Sequence, residues 1–474
     1  MMHNVNRQIQ RHLCGVLLFF VCSAPGAATP RTTVDLIVAG DYVVIMDESQ
    51  QVVKDGAVAV DAGRIVAAGP RDDIGAKFRA RRTLDGAGKV VLPGLINGHT
   101  HAAMTLLRGI ADDIELIEWL QKYIFPTEVR FVDANFVRVG TELACAEMIR
   151  GGTTTFVDMY YYPDSVAEAI ESCGLRVLVA ASVIDQKSPD AANGTESLAK
   201  AVDFVHRWKG RDNRIIPIMG AHAIYTIPPD LMRRIAAAAQ ELDVPISIHV
   251  SESRWEIETA QKTYQTTPIH ALDQLGVFGV HTIAAHVVWP TDDDIPVLLQ
   301  HQVGVIHNPS SNMKISSGIA PVTKLLAAGV HVGLGTDGPA TNNDLDMWEE
   351  MRLAAFLQKV STMDPKVLPA RTVLNMATRG GAEAIGLGQE LGALTPGRRA
   401  DLIQVSLADV RMTPMYDVIS HLVYVAHPED VTSVVVDGRI VMRDRKVLTV
   451  DEAQVRRAAN EIAGRIKTAL ASTR

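Results

Sequence analysis

The stretch Lys89-Val90-Val91-Leu92-Pro93-Gly94-Leu95-Ile96-Asn97-Gly98-His99-Thr100-His101 decides how the rest of the chain is read. From Val90 to Asn97 it is an apolar run of strand length, and it ends in two histidines separated by one residue. Side chains at i and i+2 of a strand leave on the same face, so both imidazoles project together from the strand end and can grip one metal ion. Such a pair is weak alone and takes its meaning from what else reaches it.

Seven further strand candidates follow: Thr153 to Asp158, Leu175 to Ala181, Ile215 to Ala221, Val244 to Val250, Thr282 to Val288, Gln302 to His307 and Val330 to Gly335. Amphipathic segments such as Asp133 to Arg150, Pro229 to Leu242 and Thr291 to Gln300 separate several of them, so strand and helix alternate. Eight such units predict an α/β fold, a (β/α)8 TIM barrel over residues 91–390; a doubly wound open sheet is the alternative. Both flanks read instead as short strands and turns. Residues 33–90 and 391–448 are each small, and the simplest arrangement joins them in one β-sandwich domain beside the barrel. Helices are expected over Asp364 to Ile385 and, at the end of the chain (449–474), over Asp451 to Leu470.

The first 30 residues stand apart. Arg7, Arg11 and His12 precede the apolar stretch Leu13 to Val21, which gives way to small residues, in the order of a secretory signal peptide. The stretch is too short for a permanent membrane span, so no stable membrane insertion is expected after its removal. A functional leader would export the protein to the periplasm; without one it would be cytoplasmic. Cys14 and Cys22 lie in this segment, and the remaining two cysteines, Cys145 and Cys173, occupy apolar helical settings that do not form a disulfide framework.

With 474 residues, 47% hydrophobic and 21% charged, the chain can bury a large core. A net charge of -8 and the lack of a long basic run argue against nucleic acid as partner and favour a small molecule. The sequence leaves room for a homo-oligomer.

Catalytic groups of a (β/α)8 barrel stand at the carboxyl ends of its strands. The fifth candidate strand ends in His249 with Glu252 three residues on, the sixth carries His286, and the eighth ends at Thr336-Asp337-Gly338. His99, His101, His249 and Asp337 form a donor set for zinc, one ion per subunit, with iron as the alternative. Any one of them could be a structural residue, and Asp337 a turn former; their joint placement on strand ends argues for a site. No lysine ends the third or fourth strand, where it might bridge a second metal, so a mononuclear site is expected. Glu252 is placed to move protons, His286 to orient the nucleophile or stabilise developing charge, and Asp337 to accept a proton as well as bind metal.

These segments, with His307-Asn308-Pro309-Ser310-Ser311-Asn312, resemble the metal-dependent amidohydrolase superfamily. More narrowly, His101-Ala102-Ala103-Met104-Thr105-Leu106-Leu107-Arg108-Gly109 and Asn342-Asn343-Asp344-Leu345-Asp346-Met347-Trp348-Glu349-Glu350-Met351-Arg352 resemble the 5-methylthioadenosine/S-adenosylhomocysteine deaminases. The likeness runs from about residue 33 to about residue 450. It implies hydrolytic deamination of an adenine nucleoside, giving ammonia and the inosine analogue. It also implies that Glu128 binds ribose hydroxyls and that His222 binds substrate. Many such deaminases carry an arginine near the end of the third strand, where this chain has Ala180-Ala181-Ser182. Sibling reactions, deamination of guanine or another aminopurine and dechlorination of triazines, are the nearest alternatives. A non-catalytic scaffold of the same fold would show gaps among these residues, and none is missing.

Overall fold

The structure, a computed structural model, describes residues 31–471, so the proposed leader with Cys14 and Cys22 lies outside the described residues. Five strands precede the barrel: β1 (Thr32–Val44), β2 (Val52–Asp61), β3 (Arg64–Pro70), β4 (Phe78–Leu84) and β5 (Lys89–Pro93). Eight parallel strands follow: β6 (Leu95–Thr100), β7 (Thr153–Tyr160), β8 (Arg176–Val183), β9 (Ile215–Ala223), β10 (Ile246–Val250), β11 (Thr282–His286), β12 (Gly304–His307) and β13 (Val332–Leu334). Four more, β14 (Leu402–Ser406), β15 (Val431–Val436), β16 (Arg439–Arg443) and β17 (Lys446–Val447), return to the first group.

Each barrel strand pairs in parallel with the next in sequence, as right-handed crossovers through helices require. The ends of this sheet, β6 and β13, meet without a regular ladder. Asn97 joins them instead: its Oδ1 accepts from Thr336 N at 3.1 Å and its Nδ2 donates to Thr336 Oγ1 at 2.8 Å, while Asp337 N donates to the His99 carbonyl at 3.0 Å. Below this closure Ile96, Val157, Leu178, Ile218, Ile283 and Ile306, one from each of six strands, fill the barrel interior.

The flanks join as expected, and they do so in one continuous sheet of nine strands, ordered β17-β16-β15-β14-β5-β1-β2-β3 with β4 on β1. The run Val90 to Asn97, expected as a single strand, is divided between the two sheets. The break falls at Pro93-Gly94, where Pro93 lacks a donor and Gly94 passes so close to Thr154 that a Cβ would lie 2.1 Å from its Oγ1. The helix expected over Asp364 to Ile385 is also divided, into Ala370–Met376 and Arg379–Ala384. Between them the Ala377 carbonyl accepts from Ile96 N at 2.9 Å, a bond to the barrel that interrupts the helical series. Helix Pro229–Leu242 has the expected limits, and helix Ala134–Gly151 starts on the Asp133 cap and stops at Gly152, whose φ of 85° is cheap only for glycine.

A buried ion pair ties the barrel to the nine-stranded sheet. Arg176, at the start of β8, reaches Asp401 through Nε (2.8 Å) and Nη2 (3.2 Å), and its Nη1 donates to the Asn213 carbonyl at 2.8 Å; the two side chains are 3% and 4% exposed. Removing one partner leaves the other charge buried and unpaired. Arg176→Met should therefore lower unfolding free energy by about 3–5 kcal/mol. Urea denaturation measures this, and an unchanged midpoint would show that the pair contributes nothing.

Candidate metal centre and substrate cavity

The barrel strands end abruptly. Ser251, His286 and Asp337, at or just beyond the ends of β10, β11 and β13, have φ of 51°, 75° and 62°, a region that costs non-glycine residues energy. The turns aim side chains back over the barrel mouth, where His99, His101, His249, His286 and Asp337 converge. Donor atoms of His99, His249, His286 and Asp337 lie within 4.8 Å of one another. His101 Nε2 stands 3.3 Å from Asp337 Oδ1 and 3.3 Å from His249 Nε2. Five side chains thus meet where four were expected as ligands, and His286 stands among the donors as well as 3.9 Å from Glu252 Oε1.

Hydrogen bonds behind the cluster fix which nitrogen faces it. His101 Nδ1 is 2.5 Å from the Met159 carbonyl and His249 Nδ1 is 2.6 Å from the His222 carbonyl; each must donate there, leaving the Nε2 lone pair inward. His286 Nδ1 lies 2.8 Å from Asn312 Oδ1. Ser311 Oγ (2.6 Å) and Thr341 Oγ1 (3.1 Å) donate to Asp337 Oδ2, and Gly338 N donates to its Oδ1 at 2.7 Å.

The electrostatics are those of a site built for a cation. Burial holds His99 down to about 4 and His249 well below the usual imidazole range, so both are neutral, as metal ligands must be. Burial also pulls His101 down, but the adjacent Asp337 carboxylate outweighs it and raises His101 to about 9. Burial would raise Asp337, yet His101 and His99 hold it well below the ordinary carboxyl range. Both His99 nitrogens and His286 Nε2 are buried without a hydrogen-bond partner. A divalent ion at the convergence would satisfy these orphaned nitrogens and balance the carboxylate, so the residues present fit zinc.

The cluster floors a cavity whose lining also includes Glu128, Glu252 and His222. Glu252, 4% exposed, enters from the loop after β10, and burial raises its carboxyl above the ordinary range. Glu128, also in the lining, sits in helix Phe125–Phe131, accepts from Tyr160 OH at 2.7 Å, and is pushed by burial to about 7. His222, at the end of β9, has its Nδ1 2.9 Å from Thr226 Oγ1 and is held by burial near 3. All eight residues expected from sequence thus meet at one site. Ala181 is buried at the end of β8, and the neighbouring Ser182 lines the cavity.

Supporting residues escaped the sequence reading. Glu256 accepts from Ser251 N at 2.9 Å and Glu252 N at 2.8 Å, fixing the loop that carries Glu252. Its available signal was the Ser253-Arg254-Trp255-Glu256 capping pattern, with Ser253 at the helix cap. Asp158, at the end of β7, accepts from Ala102 N at 2.6 Å and so anchors the segment after His101. Asn97 and Tyr160 carried no local signal, because their partners are distant in sequence. No helix among the described residues is long and apolar enough to cross a membrane.

Comparison with known proteins agrees with this geometry. The sequence pattern of the Amidohydrolase family matches residues 90–441. A 5-methylthioadenosine/S-adenosylhomocysteine deaminase of Syntrophobacter fumaroxidans is 46% identical over 433 residues, 91% of this chain and 98% of that protein. A 5'-deoxyadenosine deaminase of Methanosarcina mazei is 43% identical over 439 residues, 92% of this chain and 100% of the relative. Among solved structures, an adenosine deaminase from Xanthomonas campestris with bound zinc superposes with a TM-score of 0.90 at 37% identity, covering 93% of this chain and 100% of its own. On its pattern, its relatives and its strand-end histidines, the chain belongs to the amidohydrolase family.

Proposed function

We propose that the protein is a metal-dependent hydrolytic deaminase of adenine nucleosides, producing ammonia and the inosine analogue. The observation that carries this reading is the convergence of His99, His101, His249, His286 and Asp337 at the floor of a cavity, with Glu252 beside them and Glu128 on the wall. His99, His101, His249 and Asp337 would hold the ion, which is zinc on this donor set, with iron as the alternative. When bound, zinc supplies an activated water at neutral pH.

The chain's own groups then place the nucleoside and move its protons. Glu252, whose buried carboxyl titrates above the ordinary range, takes a proton from the incoming water and delivers it to the ring nitrogen next to the amine-bearing carbon. His286 Nε2, unpartnered and facing Glu252, steadies the oxygen as it adds to that carbon. Asp337 accepts the second proton of the water and passes it to the amine, which leaves as ammonia when the carbon–nitrogen bond breaks. With Nδ1 engaged by Thr226, His222 presents Nε2 to the substrate. Glu128, steadied by Tyr160, accepts from the ribose hydroxyls.

Purified protein should contain about one zinc or iron per chain and release ammonia from 5-methylthioadenosine, 5'-deoxyadenosine or adenosine; chelation should abolish turnover and added metal restore it. Equal activity of chelated and loaded protein would remove the metal from the reaction. Glu252→Gln should keep its metal and lose at least about 100-fold in kcat; near-normal turnover would refute the proton-carrying role. His286→Asn should likewise retain about one metal per chain while losing activity, whereas metal loss would move His286 into the ligand set.

A further inference from the structure

The walls of the substrate cavity carry a charge asymmetry that bears on which nucleoside it takes. Its ionisable side chains are the carboxyls of Glu128, Glu252 and Asp337, together with histidines and tyrosines; among the described residues neither lysine nor arginine lines it. The wall adjoining Glu128 is apolar. Trp119, Leu120 and Ile124 lie in the turn directly before helix Phe125–Phe131, which carries Glu128, and all three are buried. On the proposed binding of ribose by Glu128, the 5' position would run along this wall.

Resting on the deaminase reading above, we infer that the cavity is a charge filter: it admits adenine nucleosides with a small, uncharged, apolar 5' substituent and excludes those bearing a carboxylate or phosphate there. An anion at this position would be buried near carboxylates with no side-chain cation on the wall to pair it, an arrangement that low local dielectric makes costly. A methyl or methylthio group gains from the apolar wall, whereas a 5'-hydroxyl gains less and loses hydration. Arg254 and Lys314 line a second groove that shares Leu116 with the first. Both are engaged: the Arg254 guanidinium lies 4.0 Å above the Trp289 ring, and Lys314 pairs with Asp112.

The test is the ratio of kcat/KM among 5'-deoxyadenosine, 5-methylthioadenosine, adenosine, S-adenosylhomocysteine and adenosine 5'-monophosphate on the metal-loaded enzyme. The first two should exceed adenosine by about 10-fold, S-adenosylhomocysteine by at least about 10-fold and the monophosphate by at least about 1000-fold. Ser182→Arg, which places a cation on the wall, should narrow the gap to S-adenosylhomocysteine, through its carboxylate, and to the monophosphate by about 10-fold without improving 5'-deoxyadenosine. Turnover of S-adenosylhomocysteine or the monophosphate equal to that of 5'-deoxyadenosine would overturn the charge filter and leave the deaminase reading intact. If no nucleoside in the set yields ammonia, the deaminase reading fails and the filter falls with it.

Discussion

The hydrogen bonds that close the barrel also set the spacing of His99 and Asp337, the first and last of the candidate metal donors. Strands β6 and β13 have no ladder to hold them, and Asn97 with the Asp337 amide does so instead, one residue pair below His99 and Asp337. A buried amide that satisfies two Thr336 groups at once has little freedom, so the two strand ends cannot drift apart without leaving polar groups unpaired in the interior. Gly335 belongs to the same constraint: a Cβ there would lie 2.5 Å from Asn308 Oδ1 and 2.8 Å from His99 N. The closure is therefore tight because the site is built on it.

The remaining donors are held by a different device. Ser251, His286 and Asp337 sit in left-handed backbone conformations, and each is pinned by bonds that offset the strain. The Ser251 carbonyl accepts from Val288 N and Trp289 N, both at 3.0 Å, and the Val250 carbonyl accepts from Val287 N at 3.0 Å. Loops from neighbouring strands thus lock one another, and Glu256 completes the lock from the following helix. Such turns let a strand stop and present a side chain over the barrel mouth within one residue.

Burial then gives these groups their chemistry. The same desolvation that keeps His99 and His249 neutral raises Glu252 and Glu128, so one physical effect prepares both bare imidazoles that could bind a metal and carboxyls able to carry protons. Asp337 escapes because two imidazoles flank it. The apolar part of the walls comes largely from the segment between His101 and Phe131, which supplies Met104, Leu116, Trp119, Leu120, Ile124 and Phe125.

The amino-acid sequence determined by itself whatever rests on local order: the alternation of strand and helix, the eight barrel strands, and the placement of His99, His101, His249, His286 and Asp337 at strand ends. Periodicity and strand-end position are properties of neighbouring residues, so they can be read along the chain. Glu128 and His222 became legible only through resemblance, since a glutamate in a first helical turn and a strand-end histidine have ordinary structural uses. Tertiary structure alone decided that Val90 to Asn97 serves two sheets, that the 370–384 helix breaks to feed the Ala377 carbonyl to Ile96, and that Asn97, Glu256, Asp158 and Tyr160 support the site. Each of those depends on a partner brought close by folding, or on a hydrogen-bonding group that the interior leaves no water to satisfy.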